Sequence, residues 1–418
     1  MILKLARKSL WNRRGTAILT LVSLAISVAL ILGINHLRHQ AKQSFTSTIS
    51  GTDLIVGARS GQANLLLYSV FRIGNATNNI TWESYEAIKK SRDIEWTIPL
   101  SLGDSHRGFR VLGTDHNYFD HYRYGDRRAL AFSAGGPFSR IYDTVLGAQV
   151  ARELGYTIGQ EIVIAHGLGD VSFSMHDDKP FTVVGILEPT GTPVDRTVHV
   201  RLEGIEAIHL GWQHGARMPG RGVSAEEALQ RELEPEAITA FLVGLKSRMA
   251  TFRLQRAINE YRKEALTAIL PGVALAELWD VLGMVENMLI VVAFLVLLAT
   301  LVGMTTTLLS SMKERQRELA ILRAVGAHAG YLFALIEIEA LLLATAGVAF
   351  GILLLSLSLF MLQPWLAAEY GLFISANPLN SEALLITAGV MLLAALLSLI
   401  PAMVAYRRAL ADGLSVRL

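Results

Sequence analysis

MKERQRELAILRAVGA, residues Met312 to Ala327, lies between two long apolar runs: no charged residue occurs from Met288 to Ser311 or from Ala340 to Ala368. Each run exceeds the ~20 residues that a membrane-crossing helix needs. A charged turn of chain is thereby pinned to one face of a bilayer. It carries Lys313, Arg315, Arg317 and Arg323, and the excess of basic residues in membrane-flanking loops points to the cytoplasmic side. Leu319, Leu322 and Val325 recur every three residues and predict an apolar stripe on a short helix, with Gly326 as its stop. Glu314 and Arg317 are spaced for a pair on the other face. Two readings are open from pattern alone. The segment is either a solvated loop that satisfies charge bias, or a ridge that docks on a soluble partner.

Working outward, residues 1–16 combine Lys4, Arg7, Lys8, Arg13 and Arg14 with Leu3, Leu5, Leu10 and Trp11, the pattern of a short interfacial helix. The uncharged run over 17–35 follows. It is long enough to span, and no small-residue cleavage site follows it, so a retained first membrane helix is expected rather than a removed signal peptide. Residues 36–286 contain no comparable run and have the composition of a folded domain. Alternating stretches at 53–57, 108–112, 161–164, 181–185 and 240–243 predict strands. Helices are expected at 82–90 and 251–267. A second span is expected over 287–311, the charged turn over 312–330, a third span over 331–361, a loop over 362–382, a fourth span over 383–405 and a tail over 406–418. The 362–382 loop has Glu369 and Glu382 but no Lys or Arg, while the tail has Arg407, Arg408 and Arg417. Four spans with both termini cytoplasmic satisfy this asymmetry. The fold class is therefore membrane α-helical, with a large α+β domain inserted between helices 1 and 2 on the far side of the membrane.

Composition agrees. Of 418 residues 52% are hydrophobic and 18% charged, and mean hydropathy is +0.40, which excludes an ordinary soluble chain. A net charge of +2 gives no global field for nucleic acid. With no cysteine, the chain can form no disulfide, thiolate metal site or cysteine nucleophile.

Gln316-Arg317-Glu318-Leu319-Ala320-Ile321-Leu322-Arg323-Ala324-Val325-Gly326-Ala327 closely resembles the signature of FtsX/MacB-type ABC transporter permeases. The likeness extends to Ala6–Arg14 and its following span, to Val145-Leu146-Gly147 with Val150-Ala151 and Leu154-Gly155, and to Thr182–Leu187. It reappears at Glu339-Ala340 leading to Gly347 and Gly351, and at Ile400-Pro401-Ala402 followed by Arg407-Arg408. The resemblance implies a permease subunit of the mechanotransmission type in the bacterial inner membrane. Its periplasmic domain would have a porter-like lobe at about 50–117 plus 237–275 and an inserted lobe at about 118–236. It also implies a cytoplasmic ABC ATPase subunit gripping the 312–330 turn, a second permease copy (identical or paralogous), and a periplasmic adaptor or substrate-binding protein. Glu318, Leu319, Leu322, Arg323 and Gly326 are the expected coupling residues. No GxxxxGK[ST] loop occurs, so the chain is expected to be non-catalytic, with ATP and Mg held by a separate chain. Export or extraction of a substrate is the expected outcome. An FtsX-like regulator of a periplasmic partner, or a component of zinc homeostasis, is the alternative.

Glu337 and Glu339 stand within the third predicted span, where ionisable groups are costly and face protein or water. Two positions apart is about 200° around a helix, so one partner cannot easily serve both. Pairing with the basic turn is expected over a substrate or proton role. Gly347 and Gly351 form GxxxG spacing for close packing, either within one subunit or at a dimer seam. His116, His121 and His176 are weak metal candidates, because imidazole near carboxylate suits zinc but the spacing matches no ligand motif. The apolar stretch 64–71 is either domain core or a surface for lipid or a partner.

Overall fold

Helix begins at the second residue of the chain and breaks at the charged residues Arg13 and Arg315. The computed structural model describes residues 2–167, 177–210, 212–213, 216–217, 223–231, 233–370 and 375–411. Two compact units result: 1–40 with 282–365 and 374–418, and 41–281 with 366–373.

In the first unit, the N-terminal helix Ile2–Asn12 precedes a 35-residue helix, Arg14–Thr48. Pro271–Glu314, Ala329–Tyr370 and Ser381–Ala411 are the other long helices, and the short helix Gln316–Ala324 stands between the second and third of the four long ones. Four helices are long and apolar enough to cross a membrane: within Arg14–Lys42, Pro271–Met312, Ala329–Leu366 and Ser381–Leu410. Large apolar side chains such as Leu19, Leu295 and Leu385 point outward from them, as lipid-facing positions do. Packing inside the unit relies on small residues and on a few polar links. A Cβ on Gly347 would lie 2.7 Å from Leu24, and one on Gly351 would lie 2.8 Å from the Ala25 carbonyl. The GxxxG spacing thus brings the third span against the first within one chain. Ser27 and Thr300 hydroxyls are 2.8 Å apart, joining the first and second spans. Arg38 and Glu286 pair at 3.0 Å further along the same two helices. Met312, Ile336, Ala402 and Ala405 form a buried cluster where the last three spans meet.

The second unit is built on an 11-stranded mixed sheet. Its main path runs Leu266–Ile269, Leu54–Ala58, Ala240–Leu245, Ile94–His106, Phe109–Thr114, Thr197–Arg201, Asp143–Leu146, Phe181–Leu187, Phe132–Gly135. Ile94–His106, 13 residues long, holds the two halves together. Ile94 to Leu100 pair with Ala240–Leu245, and Ser101 to His106 pair with Phe109–Thr114. Phe181–Leu187 alternates buried and half-buried along its length, whereas Leu54–Ala58 is buried throughout, as a strand covered on both faces must be.

Two findings depart from the sequence-based expectations, and a third decides between two readings that the sequence left open. The helix expected over 251–267 ends at Asn259, and Leu266–Ile269 is an edge strand paired with Leu54–Ala58. The Asn259 side-chain carbonyl accepts from Ala268 N at 2.7 Å, closing the turn between them. Of the two readings for the apolar stretch at 64–71, domain core holds: it lies mostly in the helix Gln62–Ser69, and Leu65, Leu66, Tyr68, Val70 and Phe71 are core residues. The expected strand over 161–164 is reduced to Glu161–Ile162.

Candidate functional site

The charged turn is two helical breaks closed by one carboxylate. Ile2–Asn12 and Arg14–Thr48 are separated at Arg13, and Pro271–Glu314 and Gln316–Ala324 at Arg315. Both arginines reach Glu339 on the third span. Arg13 Nη2 donates to Glu339 Oε2 at 3.0 Å. Arg315 Nη1 donates to Oε1 at 3.0 Å and Oε2 at 3.2 Å, and Arg315 Nε donates to Glu318 Oε2 at 2.9 Å. The Glu339 side chain is 1% exposed. Two guanidiniums and two carboxylates balance, which a buried ionic group requires, since an unpaired buried charge costs several kcal/mol. Arg13 also donates to Ser9 Oγ at 3.3 Å. One buried carboxylate therefore fastens the N-terminal helix, the short helix and the third span at one point.

The short helix is finished at its far end by a Schellman turn. Gly326 N donates to Arg323 O at 2.9 Å and Ala327 N to Leu322 O at 3.0 Å. Gly326 has φ +100°, a left-handed conformation that a Cβ would strain. Ile321 and Val325 are 63% and 83% exposed. Four residues apart, they share one face. Neither was singled out as a coupling residue from the sequence, although their i,i+4 spacing was readable there. Glu318 is exposed, Leu322 and Arg323 are half-buried, and the Leu319 side chain lies outside the described residues.

The two intramembrane acids part company. Glu339 takes the basic turn, while Glu337 accepts from Ser398 Oγ of the fourth span at 2.8 Å. The histidines serve ring packing: His121 stacks on Trp96 at 5.2 Å with 10° between planes, and His116 meets Phe138 edge-on at 5.4 Å. His176 lies outside the described residues. Among the described residues no group of three His, Asp or Glu side chains converges as metal ligands would. His199, which no motif marked, is buried with Nδ1 3.2 Å from Val145 O, and burial with the nearby Arg72 charge lowers its pKa to about 3.

Residues 17–260 match the model of the MacB-like periplasmic core domain, and residues 290–410 that of the FtsX-like permease C-terminal region. The chain belongs to the FtsX/MacB-like family of ABC transporter permeases, membrane proteins with this arrangement of spans and inserted domain. Among solved structures it is similar to the periplasmic region of MacB from Actinobacillus actinomycetemcomitans. Identity there is 11%, coverage 55% of this chain and 94% of that one, and the TM-score 0.34. It is also similar to the extracellular domain of the noncanonic ABC-type transporter YknZ from Gram-positive bacteria, at 13% identity, coverage of 52% and 99%, and TM-score 0.31. A search of proteins of curated function gives no match.

Proposed function

We propose that this chain is the permease subunit of an ABC system in a bacterial inner membrane. A separate cytoplasmic ATPase, carrying ATP and Mg, grips the helix Gln316–Ala324, and its cycle drives motion of the inserted domain on the outer side of the membrane. That motion exports or extracts a substrate. The chain itself performs no catalysis, both termini are cytoplasmic, and a second permease copy completes the assembly. The observation that carries the reading is the joint hold of Glu339 on Arg13 and Arg315. It ties the short helix to the third span, so that a push on Ile321 and Val325 is delivered to the membrane helices instead of being lost in a slack loop. Glu318, Leu322 and Arg323 border that contact.

The test is co-purification of the full chain in detergent with a candidate ABC ATPase of the same organism. Ile321→Asp and Val325→Asp are expected to abolish the complex while leaving the permease folded, because both side chains are exposed. Full complex formation by the double variant would refute the docking surface.

A further inference from the structure

Beside Tyr68 of the helix Gln62–Ser69 the inserted domain holds a cavity of about 400 Å³, within the size range of small-ligand pockets. Arg72 and Arg110 line it with Tyr68, Asn75, Asn79 and Leu102, and no carboxylate lines it among the described residues. Neither arginine forms an ion pair among the described residues. Arg110 gives two of its donors to neutral groups, Nη2 to Gly74 O at 2.8 Å and Nη1 to Asn75 Oδ1 at 3.1 Å. Arg72 Nη1 donates to the Ser69 carbonyl, and its buried Nε finds no acceptor among the described residues. Each guanidinium lies in the other's field. The basicity of Arg110 is lowered first by burial and then by Arg72. Two like charges facing one half-buried hollow, with no carboxylate among its described lining residues, are unfavourable as they stand.

The backbone adds a second observation. Arg72 is one of three non-glycine residues with positive φ among the described residues, at 61°, a conformation that costs a β-carbon-bearing residue on the order of 1 kcal/mol or more. The chain accepts this strain where it holds the guanidinium against the cavity. Asn75, whose Oδ1 is occupied by Arg110, has its Nδ2 left to donate. A planar guanidinium fork matches an oxyanion edge in two bonds.

We propose that this cavity binds a small-molecule oxyanion, a carboxylate or phosphate group held between Arg72 and Arg110 with Asn75 as a third donor. It would be a ligand site on the inserted domain, distinct from the ATPase-docking helix and independent of that assignment.

Two measurements test it on the full chain in detergent. Calorimetric titration with inorganic phosphate and, separately, with citrate is expected to give saturable binding with Kd on the order of 1 mM or tighter for at least one of them. Arg110→Gln and Arg72→Gln should each weaken it about tenfold or more. Response to phosphate alone, or to citrate alone, supports the site and tells which group it prefers. The second measurement needs no variant. Arginine modification by phenylglyoxal, read by peptide mass spectrometry, should slow at Arg72 and Arg110 when the bound probe is present, while exposed Arg253 reacts unchanged. No binding of either probe at about 10 mM, or binding that neither substitution weakens and that protects neither arginine, overturns the proposal.

Discussion

Glu339 and Arg315, 24 residues apart, share two hydrogen bonds of 3.0 and 3.2 Å from a single guanidinium nitrogen. Arg13 approaches the same carboxylate from 326 residues away. Removing one partner of a buried pair costs more than the pair contributes, because the remaining charges stay buried. Glu339→Gln is therefore expected to destabilise the detergent-solubilised chain by about 3 kcal/mol or more. Combining it with Arg315→Gln should recover part of the loss, a coupling of at least ~0.5 kcal/mol in a double-mutant cycle of thermal unfolding. Strict additivity would show that the bonds carry no energy.

Gly351→Ala is expected to lower stability by about 1–3 kcal/mol, because the new Cβ would overlap the Ala25 carbonyl and Val28 of the neighbouring span. Gly389→Ala is the control. Nothing lies within 4 Å of its added Cβ, and alanine's better helix propensity should leave stability unchanged or slightly raised. The two melting curves should move in opposite directions or only the first should move.

The absence of cysteine makes membrane sidedness measurable by single introductions. Ala320→Cys on the short helix should react with a membrane-impermeant maleimide only after cells are opened, and Asn377→Cys should react in intact spheroplasts. Reversal of that pattern would place the docking helix outside the cell and remove the ATPase reading.

His199 sets an acid limit. Its folded-state pKa is about 3, held down by burial, against 6.5 for the free imidazole. Between these values the unfolded chain binds a proton that the folded chain refuses, so stability falls as pH drops below 6.5 and the loss levels off near 3. The full term is about 4–5 kcal/mol. His199→Asn should flatten the dependence of unfolding on pH through that window, at some cost in packing against Tyr118, whose ring centroid lies 5.1 Å away.

Asp115 works in the opposite sense. Burial raises its carboxyl from 3.8 to about 7. The folded state therefore holds a proton more tightly than the unfolded state between those values, and this group's contribution to stability declines as pH rises from 3.8 to 7. Asp115→Asn should remove that decline, leaving a variant that compares best with the parent at pH 8 and worst at pH 4, as read by denaturant midpoints.

The membrane half of the fold was largely legible, because uncharged runs such as 288–311 admit few other interpretations. The charged turn was legible for a related reason: charge confined between two spans has to emerge at a membrane face. Long-range pairings were not. Nothing local in Ile94–His106, with Pro99, Gly103 and Asp104 inside it, announces a 13-residue strand, since its order comes from partners on both sides. Glu260 to Ala265 read as helix by propensity, yet the chain turns there because Leu266–Ile269 is claimed by the strand Leu54–Ala58. Glu339 could be paired in principle with any of the basic residues of the turn. Its bond to Arg13, 326 residues away, depends on tertiary packing that no local pattern encodes.

The left-handed turn at Gly326 has a thermodynamic consequence for association. A nine-residue helix in water would spend most of its time unravelled. Here one end is sealed by that glycine and the other is anchored through Arg315, so Ile321 and Val325 are displayed on a surface that is already ordered. If this helix docks the ATPase as proposed, the partner meets a preformed rib, and little of its attraction is consumed in freezing loose chain. Substituting a β-branched residue at this one exposed glycine would thus weaken capture without altering a single contacting side chain.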